Sequence, residues 1–190
     1  MRRLSFAAAT LLLLAACKPG PSTVDSARET GEIRLENASA EEVVKQNEAA
    51  RGKHKVEPGQ WENSYQLVSL DMPGLPEGAM RNEMMAETRR PPRIVRECKK
   101  DADSKPIDFT KLSPTQQNCR FGKYILANGR IDAAMECQGP FGPIRMSIAG
   151  TQSGAAYDVT MTQSSTAPGQ TAESKMTIRM TGKRIGDCKA

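Results

Sequence analysis

Residues 119–137 read CRFGKYILANGRIDAAMEC, and this stretch decides the fold class. Ile131, Ala133, Met135 and Cys137 alternate with Arg130, Asp132, Ala134 and Glu136, the period-two pattern of a strand with one buried face. Phe121 to Leu126 forms a second apolar run, and Ala127-Asn128-Gly129 separates the two as a hairpin turn. A three-residue loop built on a type I turn ends in the left-handed region, which suits Gly129. That loop pairs Leu126 with Arg130, Ile125 with Ile131, Phe121 with Met135 and Cys119 with Cys137. The rival two-residue turn at Asn128-Gly129 sets Cys119 beside Gln138 instead. Directly opposite residues share one face of a sheet, so two thiols meeting on the inner face favour the first register.

The same rhythm extends in both directions. Residues 144–150 and 157–162 flank Ser153-Gly154. A two-residue turn there pairs Ile148 with Val159 and Met146 with Met161. Met176 to Thr181 alternates again, after a polar connection at 164–174 that holds Pro168 and Gly169. Upstream, Gln60–Leu70 carries Trp61, Tyr65, Leu67 and Val68 and reads as a strand. Asp71–Gly78 is a loop with two prolines and two glycines, and Arg93–Cys98 is a further strand. Residues 99–118 form a polar loop with a helical turn expected near Ser113-Pro114. The expectation is an all-β antiparallel meander of about seven strands, forming a curved sheet or a small barrel.

Composition fits a small, lightly packed domain. Leu, Ile, Val and Phe supply 31 of 190 residues, aromatics 4%, and the net charge is only +5. That charge is too low for the disorder such a composition otherwise suggests. Collagen, a coiled-coil rod and a multi-span membrane protein are excluded.

The first residues are an address. Arg2 and Arg3 precede an apolar run from Leu4 to Leu14, and Ala15-Ala16 are small. This is a secretory signal over residues 1–16, too short to span a bilayer. Leu14-Ala15-Ala16-Cys17 resembles the lipobox of bacterial lipoproteins. The resemblance implies that Cys17 takes a thioether-linked diacylglycerol and becomes the first mature residue, anchored by two or three acyl chains. Lys18, where Asp would favour the inner membrane, implies the outer membrane and a periplasm-facing protein. Loss of Arg2 and Arg3 leaves 25 basic and 22 acidic side chains, so the basic isoelectric point is no sign of a nucleic-acid partner.

Residues 17–57 then read as a tether. Lys18-Pro19-Gly20-Pro21-Ser22 is linker composition, and Ser39 with Glu42 offers a capping box. A short helix over 39–50, stopped by Gly52, carries a thin stripe of Val43, Val44 and Ala50 and is expected to dock weakly or not at all. The β domain occupies 58–190.

Four cysteines remain after Cys17: Cys98, Cys119, Cys137 and Cys188. An even set in an oxidising compartment reads as two disulfides; metal binding would call for C-x-x-C pairs and nearby His, which the sequence lacks. Of three possible connectivities the hairpin register favours Cys119–Cys137, leaving Cys98–Cys188.

Pro58-Gly59-Gln60-Trp61-Glu62, the loop Asp71-Met72-Pro73-Gly74-Leu75-Pro76, the cysteine spacing and the ending Met180–Cys188 together resemble the domain-of-unknown-function family 3617 of proteobacterial envelope proteins, over residues 58–188. The resemblance implies an exported, often lipid-anchored β domain and no reaction.

No constellation points to catalysis or a cofactor. A Ser–His–Asp arrangement would have to recruit His54, the single His, from the tether, which cannot hold a base in place. Met72, Met80, Met84 and Met85 raise copper binding, but Met135, Met146, Met161, Met176 and Met180 fall on inward strand positions as core filler, and the loop methionines barely cluster. Arg89-Arg90-Pro91-Pro92-Arg93, with Arg96, Lys99 and Lys100, reads as a protected edge strand more readily than as a lipid-headgroup contact. Trp61 reads as a core anchor. The expected function is a non-enzymatic envelope lipoprotein with a binding or structural role. Its inward Met135, Met146, Met161, Met176, Ile148 and Ile178 are placed to hold a small apolar or lipid ligand. The alternative is a protein-partner adaptor using the 72–85 loop.

Overall fold

The computed structural model describes residues 20–100, 119–139, 142–166, 169 and 171–189. Eight strands form one antiparallel, curved and unclosed sheet: β1 (Ile33–Ser39), β2 (Gly59–Asp71), β3 (Arg93–Lys99), β4 (Cys119–Ala127), β5 (Arg130–Gly139), β6 (Gly142–Gln152), β7 (Ala156–Ser165) and β8 (Ser174–Gly186). Their order is β1-β4-β5-β6-β7-β8-β2-β3, so β1 and β3 are the edges of the sheet among the described residues. All seven expected strands are present; β1 is the eighth. Cys17 and Ser113-Pro114 lie outside the described residues.

Most of the expected tether, residues 22–57, is part of the folded domain. Helix α1 (Val24–Thr30), strand β1 and helix α2 (Ala40–Ala50) occupy it. Ser39 caps α2, its hydroxyl accepting from the Glu42 amide at 3.1 Å. The helix docks firmly: Val43, Gln46 and Ala50, at i, i+3 and i+7, are buried, as is Ala27 of α1. Gln46, absent from the apolar stripe, is held by Ser22, whose hydroxyl donates to Gln46 Oε1 at 2.6 Å while its carbonyl accepts from Gln46 Nε2 at 2.9 Å. Tyr124 of β4 donates to Asn47 Oδ1 at 2.8 Å. Ala27, Val43 and Ala50 share one buried cluster with Ile33, Leu35, Tyr124, Leu126, Ile131, Ala133, Met135, Met146, Ile148 and Val159.

The β4–β5 hairpin uses both registers weighed above. Asn128 and Gly129 have φ of 52° and 69°, as a two-residue type I′ turn requires. The pairs near the turn are therefore Leu126–Ile131 and Ile125–Asp132, not Leu126–Arg130 and Ile125–Ile131. A bulge at Gly122 then shifts the register by one, so Phe121 meets Met135 and Cys119 meets Cys137. Asn37 of β1, with φ of 52°, stands between the Glu36–Lys123 and Ala38–Phe121 pairs. The inward phase of both strands therefore changes at one level, from Leu35 and Tyr124 to Ala38 and Phe121.

The β6–β7 register also differs from expectation. Ile148 faces Met161 and Gly150 faces Val159, because the turn spans Ser153–Ala156, with the Ser153 amide donating to the Ala156 carbonyl at 2.7 Å. The shift of two residues keeps the same face inward. A third helix, α3 (Ala79–Glu87), occupies much of the expected 72–85 loop.

Two disulfides form, Cys119–Cys137 between neighbouring strands and Cys98–Cys188, which ties edge strand β3 to the end of β8 across β2.

Candidate ligand cleft at the turn end of the sheet

The β4–β5 and β6–β7 turns, the start of β2 and the ends of β3 and β8 lie at one end of the sheet. Residues 53–57, joining α2 to β2, cross this end as a strap. The Glu57 amide donates to the Gly154 carbonyl at 2.7 Å, and His54 Nε2 lies 2.5 Å from the Gly31 carbonyl. Between strap, turns and sheet is a cleft of about 460 Å3, within the range of small-molecule sites.

One wall is an aromatic and polar relay built by cross-strand neighbours. Trp61 is 1% exposed, and its indole N–H donates to the Glu57 carbonyl at 2.9 Å. Its ring stacks on Tyr157 at 6.4 Å between centroids. Lys99 stands with Nζ 4.5 Å from the Trp61 ring centroid and 3.6 Å from the Glu97 carboxylate, a cation–π contact in a partly desolvated place. Buried Asn63 joins the relay: its Nδ2 donates to Glu97 Oε1 at 2.9 Å, and its Oδ1 accepts from the Tyr157 hydroxyl at 2.9 Å. Burial pushes the Tyr157 phenol well above its ordinary pKa, and the nearby Tyr65 hydroxyl and Glu97 carboxylate add to the shift. Tyr157 is therefore a neutral donor throughout the neutral range.

The rim is cationic. Lys53, His54, Lys55 and Lys99 line the cleft against Glu32 and Glu97. Both acids are engaged, Glu32 by Arg34 at 3.3 Å and Glu97 by Asn63 and Lys99. Lys53 and Lys55 are exposed and enter no salt bridge among the described residues. Ser153 also lines the cleft, but its hydroxyl is committed to its own turn, accepting from the Ala155 and Ala156 amides and bonding the Ala156 carbonyl.

Several site residues stand elsewhere than the sequence suggested. His54 is fixed at the cleft rim rather than loose in a tether. Met135, Met146 and Ile148 are buried in the core, while Met161, Met176 and Ile178 are half-buried on the inner face. None of the six lines the cleft; its walls are Trp61, Tyr65, Tyr157 and the strap. Two of the six, Met135 and Met146, instead border a more open depression of about 660 Å3, among polar residues of β1 and β4 to β8, where Arg145 pairs with Glu136 and Glu173. Met72, Met84 and Met85 border a notch at the far end of β2, and Met80 on α3 is 68% exposed. Sequence reading missed Lys53, Lys55, Asn63 and Tyr157. The one available signal was the Lys53-His54-Lys55 run; Asn63 and Tyr157 become partners only through strand order.

A family model described as "Protein of unknown function (DUF3617)" matches residues 56–188. No curated protein matches the chain, and no solved structure does. The match takes in β2 to β8 and Cys188 and leaves α1, β1 and α2 outside it.

Proposed function

This chain belongs to the DUF3617 family of proteins of unknown function, and we propose on that premise that it is a non-enzymatic binding protein of the bacterial envelope. It is anchored through acyl chains on Cys17, faces the periplasm, and sits on the outer rather than the inner membrane, as Lys18 suggests. Its ligand is a small amphiphile with an apolar or aromatic part, held at the Trp61–Tyr157 end of the sheet. The observation that carries this reading is the cleft itself: about 460 Å3, with aromatic side chains in its wall and, at its rim, Lys53 and Lys55, which pair with no carboxylate among the described residues. Trp61, Asn63, Glu97, Tyr157 and Ser153 are tied to one another or to backbone, an arrangement suited to holding a molecule rather than transforming one. The lipobox supports the anchor.

The test is native mass spectrometry of the delipidated protein purified from its host, combined with fractionation of Cys17→Ala. A co-purifying small amphiphile, and release of the variant from membranes or accumulation of its precursor, are the expected results. A bare monomer with a soluble mature N-terminus other than Cys17 would overturn the reading.

A second reading is favoured by one feature, α3. It buries no residue and its N-cap Gly78 makes no side-chain cap bond, so an isolated helix of its nine residues is marginal in water. Met80 and Met85, exposed on it, offer an adaptor surface to another envelope protein. A partner chain in the same spectra, lost on Met80→Glu, would select this reading.

A further inference from the structure

We infer that the cleft recognises the phosphate of an acidic membrane lipid headgroup, with Lys53 and Lys55 as its gatekeeping cations. This rests on the binding-protein reading and on acylation at Cys17.

The first support is charge. Glu32 and Glu97 are both held by neighbours, whereas Lys53 and Lys55 have no carboxylate partner among the described residues. The rim thus carries uncompensated positive charge beside an aromatic wall, where Tyr65 is 39% exposed. Cations next to amphipathic rings are what a phosphate bearing an apolar tail requires.

The second support is position. The Ser22 amide donates to the Arg34 carbonyl at 2.8 Å, two residues from Glu32 at the cleft rim. Cys17 precedes Ser22 by five residues, and a fully extended chain covers at most ~3.6 Å per residue, so the anchor lies within roughly 18 Å of this point. β2 runs 13 residues away from the same end to α3, over roughly 40 Å. Acylation therefore holds the cleft end, not the α3 end, beside the headgroups.

The test uses the full mature chain carrying Cys17→Ala, and reads Trp61, the single tryptophan, by fluorescence. Vesicles of phosphatidylcholine with a minor fraction of phosphatidylglycerol should shift its emission, in a salt-sensitive way, whereas pure phosphatidylcholine vesicles should not. The double variant Lys53→Glu/Lys55→Glu should weaken the response at least about tenfold. Both residues are exposed, so the variant keeps its fold, as unchanged thermal unfolding would verify. Arg89→Glu/Arg90→Glu, beyond α3, should leave the response intact. Equal response to the neutral vesicles, or loss with the arginine variant alone, overturns the inference. Saturation by glycerol phosphate or inorganic phosphate in place of vesicles assigns the site to a soluble phosphate and overturns the membrane source. A zwitterionic lysolipid that binds as well as an acidic one keeps the binding-protein reading and overturns this one; silence towards both fails the two together.

Discussion

Tyr157 on β7 and Asn63 on β2 are hydrogen-bonded to each other over Gly182, the β8 residue that lies between them as the cross-strand partner of both. A Cβ at Gly182 would stand 2.1 Å from Tyr157 Cε1 and 2.7 Å from Asn63 Oδ1. The bond therefore exists only because β8 has no side chain there. It fixes the Tyr157 ring against Trp61 through Asn63 Oδ1, while Asn63 Nδ2 donates to Glu97. Gly182→Ala should force Tyr157 out of place and destabilise the domain by about 1–3 kcal/mol, as overpacking does. Gly52→Ala, with open space around the new methyl group, should be close to neutral. Urea unfolding of the two variants provides the comparison, and equal midpoints would refute the relay's dependence on Gly182.

Tyr124 supplies a pH prediction. Burial raises its phenol from 10 to about 12. A folded-state pKa above the unfolded one means that the neutral phenol's stabilisation is complete below pH 10 and is lost as pH rises towards 12. Stability should fall across that window by up to about 1.4 kcal/mol per pH unit from this group. Tyr124→Phe should remove much of the slope, leaving the part due to Tyr157, and should cost about 1 kcal/mol at neutral pH through the lost hydrogen bond. Denaturant midpoints at neutral and alkaline pH, with phenolate absorbance, check both. An unchanged alkaline slope in the variant would show that Tyr124 does not carry the effect.

The strands were legible in the sequence wherever one face is apolar and the other polar. Residues 130–137 are the clearest case, and the burial of Ile131, Ala133, Met135 and Cys137 follows their alternation. Registers were less legible because a single bulge is invisible to a period-two pattern. Gly122 changes the pairing between two correct halves, so the Cys119–Cys137 pair was reached through a wrong turn. Strand β1 escaped notice because only Ile33 and Leu35 mark its inner face before Asn37 breaks the phase. The cleft was hidden for a different reason. Its parts come from positions 31, 54, 61, 99, 128, 154 and 157, and only the order β7-β8-β2-β3 brings Tyr157, Asn63 and Glu97 together.

The two disulfides should differ in their value to stability. Cys98–Cys188 closes a separation of 90 residues and Cys119–Cys137 one of 18. Loop-closure entropy assigns about 4–5 kcal/mol to the first and about 3 kcal/mol to the second. The second also joins strands that their ladder already holds, whereas the first retains edge strand β3. Replacing Cys98 and Cys188 by Ser should therefore lower the unfolding midpoint more than replacing Cys119 and Cys137. It should also expose Trp61, which lies across from Glu97 of β3. Calorimetry and Trp61 quenching by acrylamide measure the two effects, and the reverse ranking would show that local packing outweighs loop closure here.

Residues 20–55 lie outside the matched family region, yet they complete the core. Ile33 and Leu35 of β1 pair with Leu126 and Tyr124, and Val43, Gln46 and Ala50 of α2 are buried over the same strands. A chain beginning at Val56 would expose Tyr124, Leu126 and Ile131, and would leave β4 as a bare sheet edge, a template for pairing between molecules. It should bind hydrophobic dyes, unfold at lower denaturant and associate with itself. A milder lesion reaches the same conclusion without truncation: Ile33→Ala empties a fully buried site on β1 and should cost about 2–5 kcal/mol, while Val44→Ala, at a position of α2 that is 37% exposed, should cost far less. Adding a peptide of residues 20–55 to the truncated chain should restore part of the lost stability, because β1 and α2 dock as one unit through Ser22, Gln46 and Asn47. A truncated chain as stable and monomeric as the whole would mean that β2 to β8 bury their inner face alone, and that the N-terminal layer serves only the strap and its cleft.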